Sequence, residues 1–435
     1  MKNISALAAS ATLMATIFLG TPTEVKALSL ENNSSNTLFP FPDTDLIEKP
    51  RGRLIKKELQ NTLDYIVEKN GIPGASIGII TPAGRWFGAS GFSNLEAQTP
   101  MKPNDVFGIG SITKTFTATT MLKLQEEGVL SLDDTLGQWL PDIASNIPDG
   151  SSITIRQLLN GSSGIADAVL AWAEDIKADP TILFEDWQPE DIVAYAYGQE
   201  RQAWEYPNAG FLLAGLIVEE ATGSSYASVI NEKIVEPLGL KKTFLGTEEN
   251  PRKLVSSYLD FDEDGNLDNI TEFDRLFIKA GAGAGSIYSN TRNLAIFADA
   301  LFSGDLLSPE SYAEMYDFVD TGIPGLNYGL GLEKLDVGIP GISWIGHNGL
   351  TLGYSSNLFY SPELDITIVT LQNNQDLENA IGGFLDATLL APLTTTLLES
   401  GVVGLTSVPE PNTIGGVIAL GIFGFLAKSK NWCRR

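Results

Sequence analysis

Ser111 and Lys114 open a segment, Ser111 to Glu127, in which Ile112, Phe116, Leu122 and Leu124 recur at helical spacing before Gly128. Positions i and i+3 share one face of a helix, so the Lys114 amine can reach the Ser111 hydroxyl. A serine hydroxyl is a poor nucleophile until a base takes its proton. A lysine can be that base once burial or a neighbouring cation lowers its pKa. The N-terminal end of the helix favours negative charge developing on the serine oxygen. Ser-x-x-Lys alone would equally fit a capping serine and a surface lysine. In this chain the spacing occurs once, inside the glycine-flanked, apolar run Phe107 to Phe116, and that setting favours chemistry.

Composition restricts the alternatives. The 435 residues include 43% hydrophobic and 19% charged residues, a globular balance with length for one large domain or two lobes. The formal charge of −26 repels phosphate backbones, so no nucleic-acid partner is expected, and it disfavours adsorption of the folded body to anionic lipid. One cysteine, Cys433, and one histidine, His347, rule out an internal disulfide and a zinc site of Cys and His ligands. A Ser-His-Asp triad would have to use His347. No cofactor and no metal are expected. Asp260 to Asp268 has the alternating acids and central glycine of a calcium loop. Its twelfth position is Thr271 rather than glutamate, and an acidic turn is the favoured reading.

The run Phe107-Gly108-Ile109-Gly110-Ser111-Ile112-Thr113-Lys114, with Gly128-Val129-Leu130-Ser131-Leu132-Asp133-Asp134 after it, resembles the serine β-lactamase and penicillin-binding superfamily. The nearest branch is that of class C β-lactamases, D-alanyl-D-alanine carboxypeptidases and related esterases, and the likeness runs from about Leu54 to Gln372. The family's second motif is Tyr-x-Asn, for which Tyr206-Pro207-Asn208 and Tyr288-Ser289-Asn290 compete. Tyr206 is chosen because its tripeptide directly precedes the helical segment Ala209 to Thr222, where the family places it; Tyr288 is taken as a packing or turn residue. The resemblance implies that Tyr206 exchanges protons with Ser111 and then with the leaving group. It further implies that Asn208 bonds the substrate amide and helps hold Lys114. Gly346-His347-Asn348-Gly349-Leu350 fits the histidine form of the third motif. Gly349 would let substrate lie against the backbone, and the N–H groups of Ser111 and Leu350 would form an oxyanion hole. A histidine, unlike a lysine, is mostly neutral above about pH 6.5. That weakens the case for an efficient β-lactamase and leaves peptidase, amidase or esterase activity open.

Three departures touch support and substrate channel rather than these positions. Leu158-Leu159-Asn160-Gly161-Ser162-Ser163-Gly164 lacks the usual histidine, no Pro-Gly lies in Gln199 to Glu205, and Pro207 restricts Tyr206 to extended backbone. They keep a second function in view: a catalytically weak or inactive envelope module that binds peptidoglycan or a protein partner.

The elements that must position these residues are legible in outline. Leu54, Ile55, Leu59, Leu63, Ile66 and Val67 predict a helix ended by Gly71 and Pro73. Ala75 to Thr81 and Arg85 to Gly91 predict a hairpin about Pro82-Ala83-Gly84, and Ile342 to Ile345, Ser355 to Tyr360 and Ile366 to Leu371 predict late strands. Strands at both ends with helices between give an α+β class: an antiparallel sheet flanked by helices, plus a mostly helical lobe, β-lactamase/transpeptidase-like.

The ends read as addresses. Residues 1–27 have one early lysine, an apolar run from Ile4 to Gly20 and Ala27 as a cleavage point, which predicts a signal peptide. Residues 28–50 read as a linker, 51–387 as the hydrolase domain and 388–407 as a spacer. Residues 408–435 combine Val408-Pro409-Glu410-Pro411, an apolar stretch and a basic tip. They resemble the PEP-type C-terminal sorting signals of Gram-negative envelopes; a short C-terminal anchor is the other reading. The expected partners are an acyl substrate, small or a peptidoglycan peptide, with a signal peptidase and a C-terminal sorting protease. The expected location is periplasm, outer envelope or outside the cell, with transient membrane association through the termini.

Overall fold

Two runs of β-branched and small residues far apart in the chain, Gly74–Thr81 and Ile366–Gln372, are buried along almost their whole length and pair antiparallel, Ala75 opposite Gln372. Burial on both faces is what such near-continuous apolar strands require. The computed structural model describes residues 50–375, apart from 248–250, 252, 262–263 and 337–341. The expected leader, most of the linker, the spacer and the sorting signal lie outside the described residues.

Helix α1 (Pro50–Lys69) is followed by β1 (Gly74–Thr81), β2 (Gly84–Asn94), β3 (Thr99–Pro100) and α2 (Ile112–Glu126). The helical middle includes α3 (Ala168–Ala178), α4 (Asn208–Thr222), α5 (Thr271–Ala280), the single turn α6 (Ala282–Gly285) and α7 (Thr291–Phe302). The chain then forms β4 (Val319–Asp320), β5 (Leu326–Tyr328), β6 (Glu333–Asp336), β7 (Ser343–Leu350), β8 (Ser355–Ser361) and β9 (Ile366–Gln372). These nine strands make one antiparallel sheet in the order β3-β2-β1-β9-β8-β7-β6-β5-β4. Leu59, Leu63 and Ile66 of α1 cover one face with Ile77, Ile368 and Trp344; α2, α4 and α7 belong to the larger core on the other. The α+β class is therefore observed.

Helix α2 runs through the middle of the molecule and is buried on nearly every side. Two of its buried threonines bond to backbone of neighbouring segments: Thr117 Oγ1 donates to Gly283 O at 2.7 Å and Thr115 Oγ1 to Gly331 O at 2.8 Å. Those bonds tie the nucleophile-bearing helix to α6 and to the segment entering β6.

Two local outcomes differ from expectation. His347 lies inside β7 rather than before a strand, because the pairing continues to Leu350 opposite Ser355. The pair β5/β6 was not anticipated. Strands of three and four residues joined by Gly329-Leu330-Gly331 are too short to display an alternation. Among the described residues no helix is long and apolar enough to cross a membrane.

Candidate active site

Ser111 is the residue that caps α2, and its hydroxyl accepts a 2.8 Å hydrogen bond from Lys114 Nζ one turn along. Lys114 is fully buried and donates a second bond, 3.0 Å, to Ala284 O. Ala284 lies in the single turn α6, where carbonyls lack intrahelical partners and can accept from a side chain. Gly283 permits this placement, since a Cβ there would stand 2.3 Å from Phe211 O of α4. Burial holds the Lys114 amine down to about 7, while the charges of Asp167 and Glu333 act in the opposite sense. An amine in that range is present in substantial part as the free base at neutrality and can take a hydroxyl proton.

Tyr206 precedes α4. Its hydroxyl interacts with the Ser111 side chain, and Lys114 Nζ sits 4.9 Å from its ring centroid. Burial, then the Glu333 charge, push its pKa well above that of an ordinary phenol, against the interaction with Ser111. Tyr206 is accordingly a neutral phenol that can give or relay a proton, and Lys114 is the group suited to remove one. Three hydrogen bonds to main-chain carbonyls hold the tyrosine loop on the segment with the unusual sequence. Trp204 Nε1 donates to Asn160 O at 2.9 Å, Glu205 N to Gly161 O at 3.1 Å and Gln202 N to Gly164 O at 2.8 Å. Residues 160–164 thus support Tyr206 through main-chain atoms, which need no histidine.

Asn208 has a different partner from the one expected. Its Nδ2 donates to both oxygens of Asp167, at 3.1 and 2.9 Å, and Asp167 Oδ1 also caps α3 by accepting from Val169 N and Leu170 N. The hydrogen bonds on Lys114 come from Ser111 and Ala284, so Asn208 acts on the lysine through Asp167 and its charge.

His347 is also placed differently. Its Nδ1 lies 2.6 Å from Asn348 O, and because a carbonyl only accepts, Nδ1 carries the proton. Nε2 is then the acceptor of the Tyr328 hydroxyl at 2.7 Å. Burial, then the Lys114 charge, hold His347 down to about 3, so it is neutral. Both ring nitrogens are committed within the protein, and the imidazole backs the pocket instead of presenting a donor to substrate. Gly349 and Leu350 lie against the backbone at the start of α2. A Cβ on Gly349 would stand 3.0 Å from Ser111 N and 2.1 Å from Ile109 O. One on Gly110, whose φ is +48°, would stand 2.7 Å from Leu350 N. Only glycine allows this approach of strand to helix start, which sets the amides of Ser111 and Leu350 side by side.

Tyr328, Glu333, Asp167 and Ala284 were missed by sequence reasoning. Tyr328-Gly329-Leu330-Gly331 was an available signal, an aromatic beside paired glycines. Tyr288 is wholly buried in a small separate sheet, opposite Gly108 and Phe244, away from the Ser111 hydroxyl. Among the described residues no group of His, Cys, Asp and Glu could hold a metal ion. In the acidic loop, Asp260 Oδ2 accepts from Gly265 N and Asp264 Oδ1 from Asn266 N, so these carboxylates close a turn.

With this geometry established, the model of the family described as Beta-lactamase matches residues 59–387. The chain belongs to the β-lactamase family. It is 25% identical over 353 residues to Penicillin-binding protein 4* of Bacillus subtilis (strain 168), covering 74% of this chain and 72% of that protein. Among solved structures it is similar to the D-stereospecific amidohydrolase from Streptomyces sp., at 30% identity and TM-score 0.66, covering 76% of this chain and 98% of that one. It is also similar to the D-amino acid amidase from Ochrobactrum anthropi SV3 in complex with D-phenylalanine, at 26% identity and TM-score 0.69, covering 80% and 99%. Its fold and kinship are those of the β-lactamase-fold serine hydrolases.

Proposed function

We propose that this protein is an exported serine acyl hydrolase that cleaves small amides or esters of D-amino acids, including D-alanyl peptides, through an acyl-enzyme on Ser111. The observation that carries the proposal is the contact of one hydroxyl with both a depressed-pKa amine and a neutral phenol. In the first step Ser111 Oγ bonds to the substrate carbonyl carbon while its proton passes to Lys114 Nζ. The carbonyl electron pair collects on oxygen, facing the amides of Ser111 and Leu350. Tyr206 then protonates the departing amine or alkoxide and recovers its proton from Lys114. Water repeats the sequence on the ester and frees Ser111.

The substrate class follows from charge. With His347 neutral and its nitrogens occupied, the β7 wall offers no cation for a substrate carboxylate. That feature argues for acyl donors uncharged at this position, amides and esters above penicillin-like acids. The similarity to proteins named for D-stereospecific and D-amino acid amide hydrolysis argues the same way. Export rests on the leader and tail patterns of the sequence.

The deciding test is labelling of the mature protein with a fluorophosphonate and with a fluorescent penicillin, beside a panel of D-amino acid amides, D-alanyl dipeptides and nitrophenyl esters. Labelling that Ser111→Ala abolishes is the expected result. No labelling and no turnover, with binding to cell-wall fragments retained, would replace the enzyme by a binding module.

A further inference from the structure

Glu333 is the first residue of β6, opposite Gly346 in the register that also places His347. Its side chain is completely buried. Oε2 has one weak partner, the Asn348 N–H at 3.4 Å, and Oε1 has no hydrogen-bond partner, lying 3.8 Å from His347 Nδ1, whose proton is given to Asn348 O. A buried carboxyl so poorly bonded is destabilising, more so if it is ionised without a nearby cation. Its electrostatic neighbours are catalytic ones: the charge of Glu333 acts on Lys114, Tyr206 and Tyr328.

We propose that Glu333 is a positioning residue that works through Lys114: the two form one buried acid–base pair, and Glu333 sets the pH at which the lysine becomes a free base. The proposal rests on the reading of Lys114 as the base for Ser111. The other charged or titratable groups facing the lysine are Asp167 at the start of α3, Tyr206 before α4 and His347 on β7; Glu205 borders Asp167. His347 is neutral and Tyr206 holds its proton, so Asp167 and Glu333 supply the negative charge. Asp167 is stabilised by two backbone N–H groups and the Asn208 amide. Glu333 has no comparable support, and its carboxyl is pushed up to about 8 by burial, against the Asn348 N–H and the Lys114 charge. Two buried groups that exchange charge in the same pH range lose their protons as a pair rather than singly.

The signs are definite. When Glu333 ionises, its charge favours the ammonium form of Lys114 and delays the free base to higher pH. Glu333→Gln keeps an acceptor for the Asn348 N–H but removes the charge. The acid limb of kcat/KM should then move to lower pH by about one unit and steepen to the loss of a single proton, each profile being scaled to its own plateau. A merely structural Glu333 would lower the plateau and leave the limb in place, and that result overturns the proposal.

A second measurement requires no variant. His347 is the only histidine of the chain, so isotope-labelled histidine gives one imidazole signal set. In the wild type those signals should keep the pattern of a neutral ring protonated on Nδ1 while shifting in a step between about pH 6 and 9, as the carboxyl 3.8 Å away ionises. Flat signals across that range would overturn the pairing even if Glu333→Gln failed to fold. Failure of Ser111 to label in the wild type would defeat the hydrolase reading instead, and the histidine titration would still decide the pair.

Discussion

The chain carries two Tyr-x-Asn tripeptides, and the fold treats them in opposite ways. Tyr206-Pro207-Asn208 lies half-buried at the start of α4, with its phenol against Ser111 and its asparagine on Asp167. Tyr288 and Ser289 end a wholly buried strand; the Tyr288 phenol has no hydrogen-bond partner, and Asn290, just past the strand, caps α7 by accepting from Asn293 N. Identical residue types thus meet the Ser111 hydroxyl in one place and provide packing with a helix start in the other. What separates them is the partner brought from a distant part of the sequence.

That contrast can be broken most severely at Tyr206. Tyr206→Phe should retain the fold and lower kcat by 10²- to 10⁴-fold, roughly the contribution of one positioned proton donor, measured on a D-amino acid nitroanilide. Equal activity of Tyr206→Phe and wild type would reverse the assignment of the two tripeptides. Asp167→Ala comes next. It removes a helix cap and strands the Asn208 amide, so melting should register a loss of about 1–2 kcal/mol. With an anion taken from beside Lys114, the acid limb should also move down in pH.

The pH profile sharpens the comparison without mutation. Lys114 must be unprotonated to act, and burial holds it down to about 7, so kcat/KM should rise with pH through that region. A profile flat from pH 5 to 9 would exclude Lys114 as the base. The smallest effect is expected at the second tripeptide. Tyr288→Phe removes a buried hydroxyl that has no partner, so activity should stay within about twofold of wild type and stability should change by no more than about 1 kcal/mol, in the favourable direction. A large loss of activity there would mean that the hydroxyl has a role in catalysis.

Much of the site was legible because short-range geometry imposes it. Ser111 and Lys114 meet through one helical turn, a contact that follows from spacing alone once the segment is a helix. The sequence suggests room for substrate at Gly349, whereas in the fold it and Gly110 allow β7 to approach the start of α2. The long buried strands β1, β8 and β9 announced themselves by apolar content, whereas β5 and β6, at three and four residues, did not. Errors about Asn208 and His347 had a common origin. The residue types were right for polar contacts, but a hydrogen bond goes to whichever partner the fold sets within about 3 Å.

By itself the sequence determined the α+β class, the family, and the pairing of a nucleophile with an amine one turn away, since each depends on periodicity or local spacing. Only the tertiary structure decided which tyrosine reaches Ser111, that both nitrogens of His347 are occupied, and that the charge of a buried Glu333 acts on Lys114. Those outcomes depend on burial and, for Tyr206 and Glu333, on neighbours from about 90 to more than 200 positions away, where desolvation, rather than residue type, sets charge and proton affinity.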